Sequence, residues 1–85
     1  MMTFNYVIKD EVGIHARPAG ELVKKAKELS SRVTVSCNGK SADATKLMAL
    51  MSLGVKKDME VTVTVEGDNA EADGAQMKVF FEANL

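Results

Sequence analysis

Tryptophan is absent from this 85-residue chain, and cysteine, proline, histidine and tyrosine occur once each. The solitary Cys37 excludes an internal disulfide framework and a clustered thiolate metal site, and it fits a reducing, cytoplasmic setting. One histidine with no second histidine or cysteine nearby makes a poor first-row metal site, so neither a metal nor a cofactor is expected. No stretch approaches the roughly 20 apolar residues of a membrane span, and "MMTFNYVIKDE" lacks the basic start and apolar run of a secretion signal. Charge of one sign is not in excess either. A net charge of −1 gives no overall pull toward nucleic acid or an anionic membrane. The four aromatic residues form no basic-aromatic cluster of the kind that binds single strands. No P-loop or kinase glycine loop occurs, so the chain is not expected to make a phosphoryl donor from nucleotide.

The residues that are present, 46% apolar and 27% charged, suit a compact globular protein. With no repeat, low-complexity tract or long linker, residues 1–85 read as a single domain. Such a domain buries only about 60% of its unfolded surface, so chemistry is expected on the outside rather than in a deep pocket.

Apolar periodicity divides the chain. Phe4, Tyr6 and Ile8 alternate with polar neighbours, predicting a first strand with even positions inward. Ala19, Leu22, Val23, Ala26 and Leu29 then recur at helical spacing as far as Ser30. Val33, Val35 and Cys37 alternate again, and Asn38-Gly39 predicts a tight hairpin into a short strand over 40–43. "KLMALMSLG" reads as a short helix ended by Gly54. Met59 to Glu66 is the clearest strand, and Asp68 or Asn69 can cap a last helix whose face is Ala70, Gly74, Met77 and Phe81. Gly74 marks either a weak point in that helix or a close approach. Strand, helix, strand, strand, helix, strand, helix implies an α+β fold, one sheet with helices on one side.

"GIHARPAG" places the only histidine and the only proline at the start of the first helix. With Ala16 as the first helical residue, Pro18 lies in the first turn, where its missing N–H has no helical partner to lose. His15 then stands at the N-cap beside the free N–H groups of Ala16 and Arg17 and the positive end of the helix dipole, a place where anions bind. A lone histidine at such a position is ordinarily a tolerated cap or surface residue. The alternative is a nucleophile, because neutral imidazole is available near neutral pH and a ring nitrogen can take a phosphoryl group. On that reading the backbone N–H of Ala16 and the planar guanidinium of Arg17 hold phosphoryl oxygens.

Helical projection puts Arg17, Gly20, Lys24 and Lys27 on one stripe away from the apolar face. The stripe is either a solvated surface or a means of steering an acidic partner. In the second helix Ala49, Leu50 and Leu53 fall in one arc, with Leu47, Met48 and Met51 opposite. One arc is expected to be core and the methionine-rich one an exposed docking patch.

"GIHARPAG", "LMALMSLGV", the "NGK" before it and the order of elements over essentially the whole chain closely resemble the HPr family, the histidine-containing phosphocarriers of the bacterial sugar phosphotransferase system. The resemblance implies an open-faced β-sandwich, a four-stranded antiparallel sheet with three helices on one face, and a carrier rather than an enzyme. His15 would accept a phosphoryl group on Nδ1 from phospho-Enzyme I and donate it to enzyme IIA domains, with Arg17 as the active-site arginine. Gly20, Lys24, Lys27, Leu47, Met48 and Met51 would meet these partners. A monomer is expected, with no direct membrane insertion and no nucleic-acid partner. An HPr-like paralogue acting mainly as a regulatory protein-binding module is the competing reading. Where many members of the family carry a regulatory serine this chain has Lys46, which cannot be phosphorylated that way, and neither Thr45 nor Ser52 is an obvious replacement. Kinase-linked control through this position is therefore expected to be lost or altered.

Overall fold

The computed structural model describes residues 1–85. The elements follow in the anticipated order: β1 (Met2–Val7), α1 (Ala16–Glu28), β2 (Arg32–Cys37), β3 (Lys40–Asp43), α2 (Leu47–Ser52), β4 (Glu60–Glu66) and α3 (Ala70–Asn84). The strands form one antiparallel sheet in the order β1-β4-β2-β3, and the three helices cover one of its faces.

Strand alternation decides which residues meet those helices. Phe4, Val63, Val35 and Ala42 are paired in turn across all four strands, and Tyr6–Val61 and Met2–Val65–Val33 flank that row. These inner rows join Leu22, Leu50, Met77 and Phe81 from the helices in one hydrophobic core. The opposite face carries small polar residues, among them Thr3, Thr64 and Thr34 in one row and Asn5, Thr62, Ser36 and Ser41 in the next. The β2–β3 hairpin turns at Asn38 and Gly39, both with positive φ, as the tight turn requires.

In α3 the inward face is Ala70, Asp73, Gly74, Met77 and Phe81. Gly74 is a place of close approach, since a Cβ there would run into the sulfur of Met2. Phe81 stands edge-on to Phe4 and Tyr6, with ring centroids 5.9 and 5.6 Å away.

Asp73 is a carboxylate on an otherwise apolar face, which periodicity does not anticipate. It is buried and accepts from Ser31 N (3.0 Å), Ser30 Oγ (3.2 Å) and Asn69 Nδ2 (3.3 Å), tying the start of α3 to the α1–β2 connection. The Ser31 hydroxyl, which lies close without making a hydrogen bond, and then the Ser31 N–H, the Ser30 hydroxyl and the Asn69 amide favour the charged form. Together they hold the Asp73 carboxyl below the ordinary carboxylate range, against the opposing effect of burial. A carboxylate whose folded pKa is depressed contributes stability that is present above its unfolded value of about 3.9 and is lost as pH falls through the folded value. Asp73→Asn should lower the urea midpoint at neutral pH and flatten its decline below about pH 4. Urea titrations of both proteins at pH 7 and pH 3 check this.

Candidate functional site

The site is built on the segment between β1 and α1, which is fastened on two sides. Lys9 N and Asp10 N donate to the backbone oxygen of Leu85 just past α3, at 2.6 and 2.8 Å, and Ile14 N donates to Val55 O at 3.1 Å. Gly13, at φ +81°, passes so close to the 55–56 backbone that a Cβ would lie 2.6 Å from the Lys56 Cα. Ile14 is buried, so its neighbour His15 is set down at a fixed place.

His15 is the N-cap of α1, in extended conformation, and its side chain makes no capping hydrogen bond. The first backbone bond of the helix runs from Ala19 N to His15 O, so the N–H groups of Ala16 and Arg17 have no acceptor in the protein, and Pro18 has no N–H to satisfy. No acidic residue occupies the first turn. The result is a positive helix end with free donors and an imidazole whose side chain is 33% exposed.

Arg17 is placed differently from the bidentate anion clamp that the sequence suggests. Its Nη1 donates to Glu21 Oε1 at 2.9 Å, one turn along the same helix, and both side chains are well exposed. An exposed i,i+4 pair of this kind is worth roughly 0.3–0.5 kcal/mol, so a phosphoryl dianion can compete for the guanidinium at little cost. Asp10 was not singled out by the sequence pattern, yet its Oδ1 lies 3.9 Å from His15 Nε2.

Of the other anticipated residues, Gly20, Lys24 and Lys27 are exposed on α1, and nothing lies within 4 Å of a Cβ added at Gly20. On α2, Leu50 and Leu53 are buried and Ala49 is half-buried, whereas Leu47, Met48 and Met51 are 39%, 72% and 37% exposed. The two helices pack side by side, so the basic stripe and the methionine patch lie on neighbouring elements. Two open depressions, of about 420 and 240 Å³, are lined by other residues and neither includes His15. His15 lies on the surface, not in a pocket.

Lys46 is the N-cap of α2 and supplies no side-chain cap. Asp43 does the local work instead, its Oδ1 accepting from Thr45 Oγ1 at 2.7 Å and Thr45 N at 2.8 Å. The Thr45 hydroxyl and then its N–H, aided by Arg32 and Lys46, hold the Asp43 carboxyl below its ordinary value against partial desolvation. Ser52 Oγ donates back to Met48 O at 2.8 Å. Both hydroxyls near Lys46 are thus committed to local hydrogen bonds.

Residues 2–83 match the family model described as "PTS HPr component phosphorylation site". The chain is 37% identical over 71 residues to the phosphocarrier protein HPr of Mycoplasma capricolum, covering 84% of this chain and 80% of that one. It is 45% identical over 64 residues to the HPr of Vibrio cholerae, 75% of each chain. The crystal structure of HPr-C-His from Thermoanaerobacter tengcongensis superposes with a TM-score of 0.92 at 33% identity, covering 99% of this chain and 94% of that one.

Proposed function

The chain belongs to the HPr family of phosphocarrier proteins, and from that premise we propose that His15 takes a phosphoryl group from phospho-Enzyme I and passes it to enzyme IIA domains during sugar uptake. The observation that carries this reading is the partly exposed imidazole of His15 at the end of α1, beside two backbone donors that nothing in the protein uses. The Nδ1 lone pair attacks phosphorus while the bond to the donor's nitrogen breaks, and the donor keeps that electron pair. The N–H groups of Ala16 and Arg17 receive the phosphoryl oxygens, and Arg17 leaves Glu21 to join them. All of these groups come from one copy of the chain, and the expected state is a monomer.

An exposed site suits a carrier. Two different proteins must reach the same phosphorus, and each can bring the groups that the carrier itself lacks. Leu47, Met48 and Met51 offer an adaptable apolar surface, and Lys24 and Lys27 a basic rim, for docking both partners. Gly20, where an added Cβ would meet nothing within 4 Å, leaves α1 open to a partner's approach. With Lys46 in place of the regulatory serine and the nearby hydroxyls engaged, ATP-dependent kinase control through this position is expected to be lost or altered. Incorporation of ATP-derived phosphate into Thr45 or Ser52 by the kinase that modifies the serine in other HPr proteins would contradict this.

The deciding experiment mixes the protein with Enzyme I and labelled phosphoenolpyruvate. One acid-labile, alkali-stable phosphoryl group per chain is expected, and the label should move onward when a IIA domain is added. A chain left unlabelled under conditions that label a known HPr would refute the carrier reading and favour a regulatory binding module.

A further inference from the structure

We propose that Asp10 is a positioning residue for the phosphoryl acceptor, its carboxylate holding the ring proton of His15 on Nε2 so that the Nδ1 lone pair faces the phosphoryl site. The inference rests on the reading of His15 as acceptor and goes beyond it, to how the ring is prepared.

Three observations carry it. Asp10 Oδ1 lies 3.9 Å from His15 Nε2, the only carboxylate oxygen within ion-pair distance of the ring. That oxygen is already fixed, because it accepts from Val12 N at 2.9 Å in an Asx turn, and Asp10 O accepts from Gly13 N at 3.1 Å. The Asp10 backbone is itself tied to Leu85 O at 2.8 Å, so the carboxylate cannot easily swing away to solvent. A spacing of 3.9 Å is an ion-pair distance and not yet a hydrogen bond, and a small rotation of the part-exposed imidazole closes the remaining gap of about 1 Å.

The chemistry follows from the two ring nitrogens being distinct. In neutral imidazole one nitrogen carries the proton and the other the lone pair, and the partner of the protonated nitrogen decides which is which. With Nε2–H directed at Asp10, the free lone pair is on Nδ1. When Nδ1 bonds to phosphorus and the donor's nitrogen–phosphorus bond breaks, the proton stays on Nε2 and the ring becomes a cation facing Asp10. On transfer to the next acceptor the N–P bond breaks, its electron pair returns to Nδ1, and the ring is again neutral with its proton unmoved. No general base is needed at any step, only a fixed negative charge on the far side of the ring, as carboxylates provide for other catalytic histidines.

Asp10→Asn separates this role from the turn, since the amide oxygen can still accept from Val12 N while the charge is gone; Asp10→Ala removes both. In protein carrying 15N-labelled histidine, at a pH where the nitrogen shifts themselves show the ring to be neutral, the wild type should show mainly the Nε2–H tautomer. Both variants should move measurably toward the Nδ1–H form, since the neutral ring presents Asp10 with a dipole rather than a charge. Phosphoryl uptake from Enzyme I, in which the ring becomes a cation, should slow about five-fold, the worth of two unit charges some 4 Å apart in water-like surroundings. A tautomer ratio or an uptake rate that stays at its wild-type value in Asp10→Asn overturns the proposal, including the case in which only Asp10→Ala is impaired, which assigns Asp10 to the turn alone. A wild-type chain that takes up no phosphoryl group instead removes the carrier reading, while the tautomer ratio, read on the free protein, still decides the Asp10 contact.

Discussion

A His15→Ala chain should take up no phosphoryl group at all from Enzyme I, while melting within about 4 °C of the wild type. The two halves of this expectation come from the same local facts. The imidazole is partly exposed, makes no capping hydrogen bond and has Asp10, at 3.9 Å, as its one charged neighbour. Removing it therefore costs the fold no more than a typical surface substitution, within about 0.5 kcal/mol, and each kcal/mol shifts the melting point of so small a domain by about 4–8 °C. The backbone amides of Ala16 and Arg17 survive the change, and phosphate can still visit the helix end. What is lost is the lone pair proposed to bond to phosphorus, and no second histidine exists to supply one. Calorimetry beside acid-labile labelling checks both parts. Residual label at the wild-type level would place the acceptor elsewhere, and a large loss of stability would mean that the ring has a packing role which the structure does not show.

The parts of this molecule that were legible in its sequence are those set by repetition over several residues. Valines alternating from Val61 to Val65 are found facing the helices, and the split of α2 into a buried Leu50–Leu53 side and an exposed Met48–Met51 side follows from helical spacing. The Asn38-Gly39 turn is legible because few residues accept two successive positive φ angles. "GIHARPAG" shows where α1 begins for a similar reason, as proline is tolerated in the first turn and not further in. Contacts between elements were not legible. Asp73 interrupts an apolar face, and its partners Ser30 and Ser31 lie more than 40 positions away, so no periodic pattern links them. Asp10 reaches His15 only because Leu85 and an Asx turn fold the loop back on itself. Arg17–Glu21 is different, since i,i+4 spacing announces such a pair, and on that signal alone the guanidinium could have been expected to have a resting partner.

Gly13→Ala should lower both stability and phosphoryl uptake, although it leaves every proposed chemical group in place. Gly13 has φ +81°, a region that costs a residue with a Cβ about 1–3 kcal/mol. A Cβ would also collide with the carbonyl oxygen of Val55 and come within 2.6 Å of the Lys56 Cα, both backbone atoms that cannot rotate aside. The loop must therefore lift off the 55–56 segment, and the adjacent hydrogen bond from Ile14 N to Val55 O goes with it. A total loss of about 3 kcal/mol is expected, enough to lower the melting point by more than about 10 °C, and a large share of the 5–15 kcal/mol that holds a domain of this kind together. Function should suffer beyond what unfolding explains, because Ile14 is the buried anchor immediately before His15. A reacting group displaced by about 1 Å can lose two orders of magnitude in rate. Uptake at least about ten-fold slower, measured at a temperature where the variant is still folded, is the expected result. Wild-type uptake under those conditions would show that the position of His15 is set by α1 alone, and that the close passage of Gly13 over residues 55–56 serves only the stability of the fold.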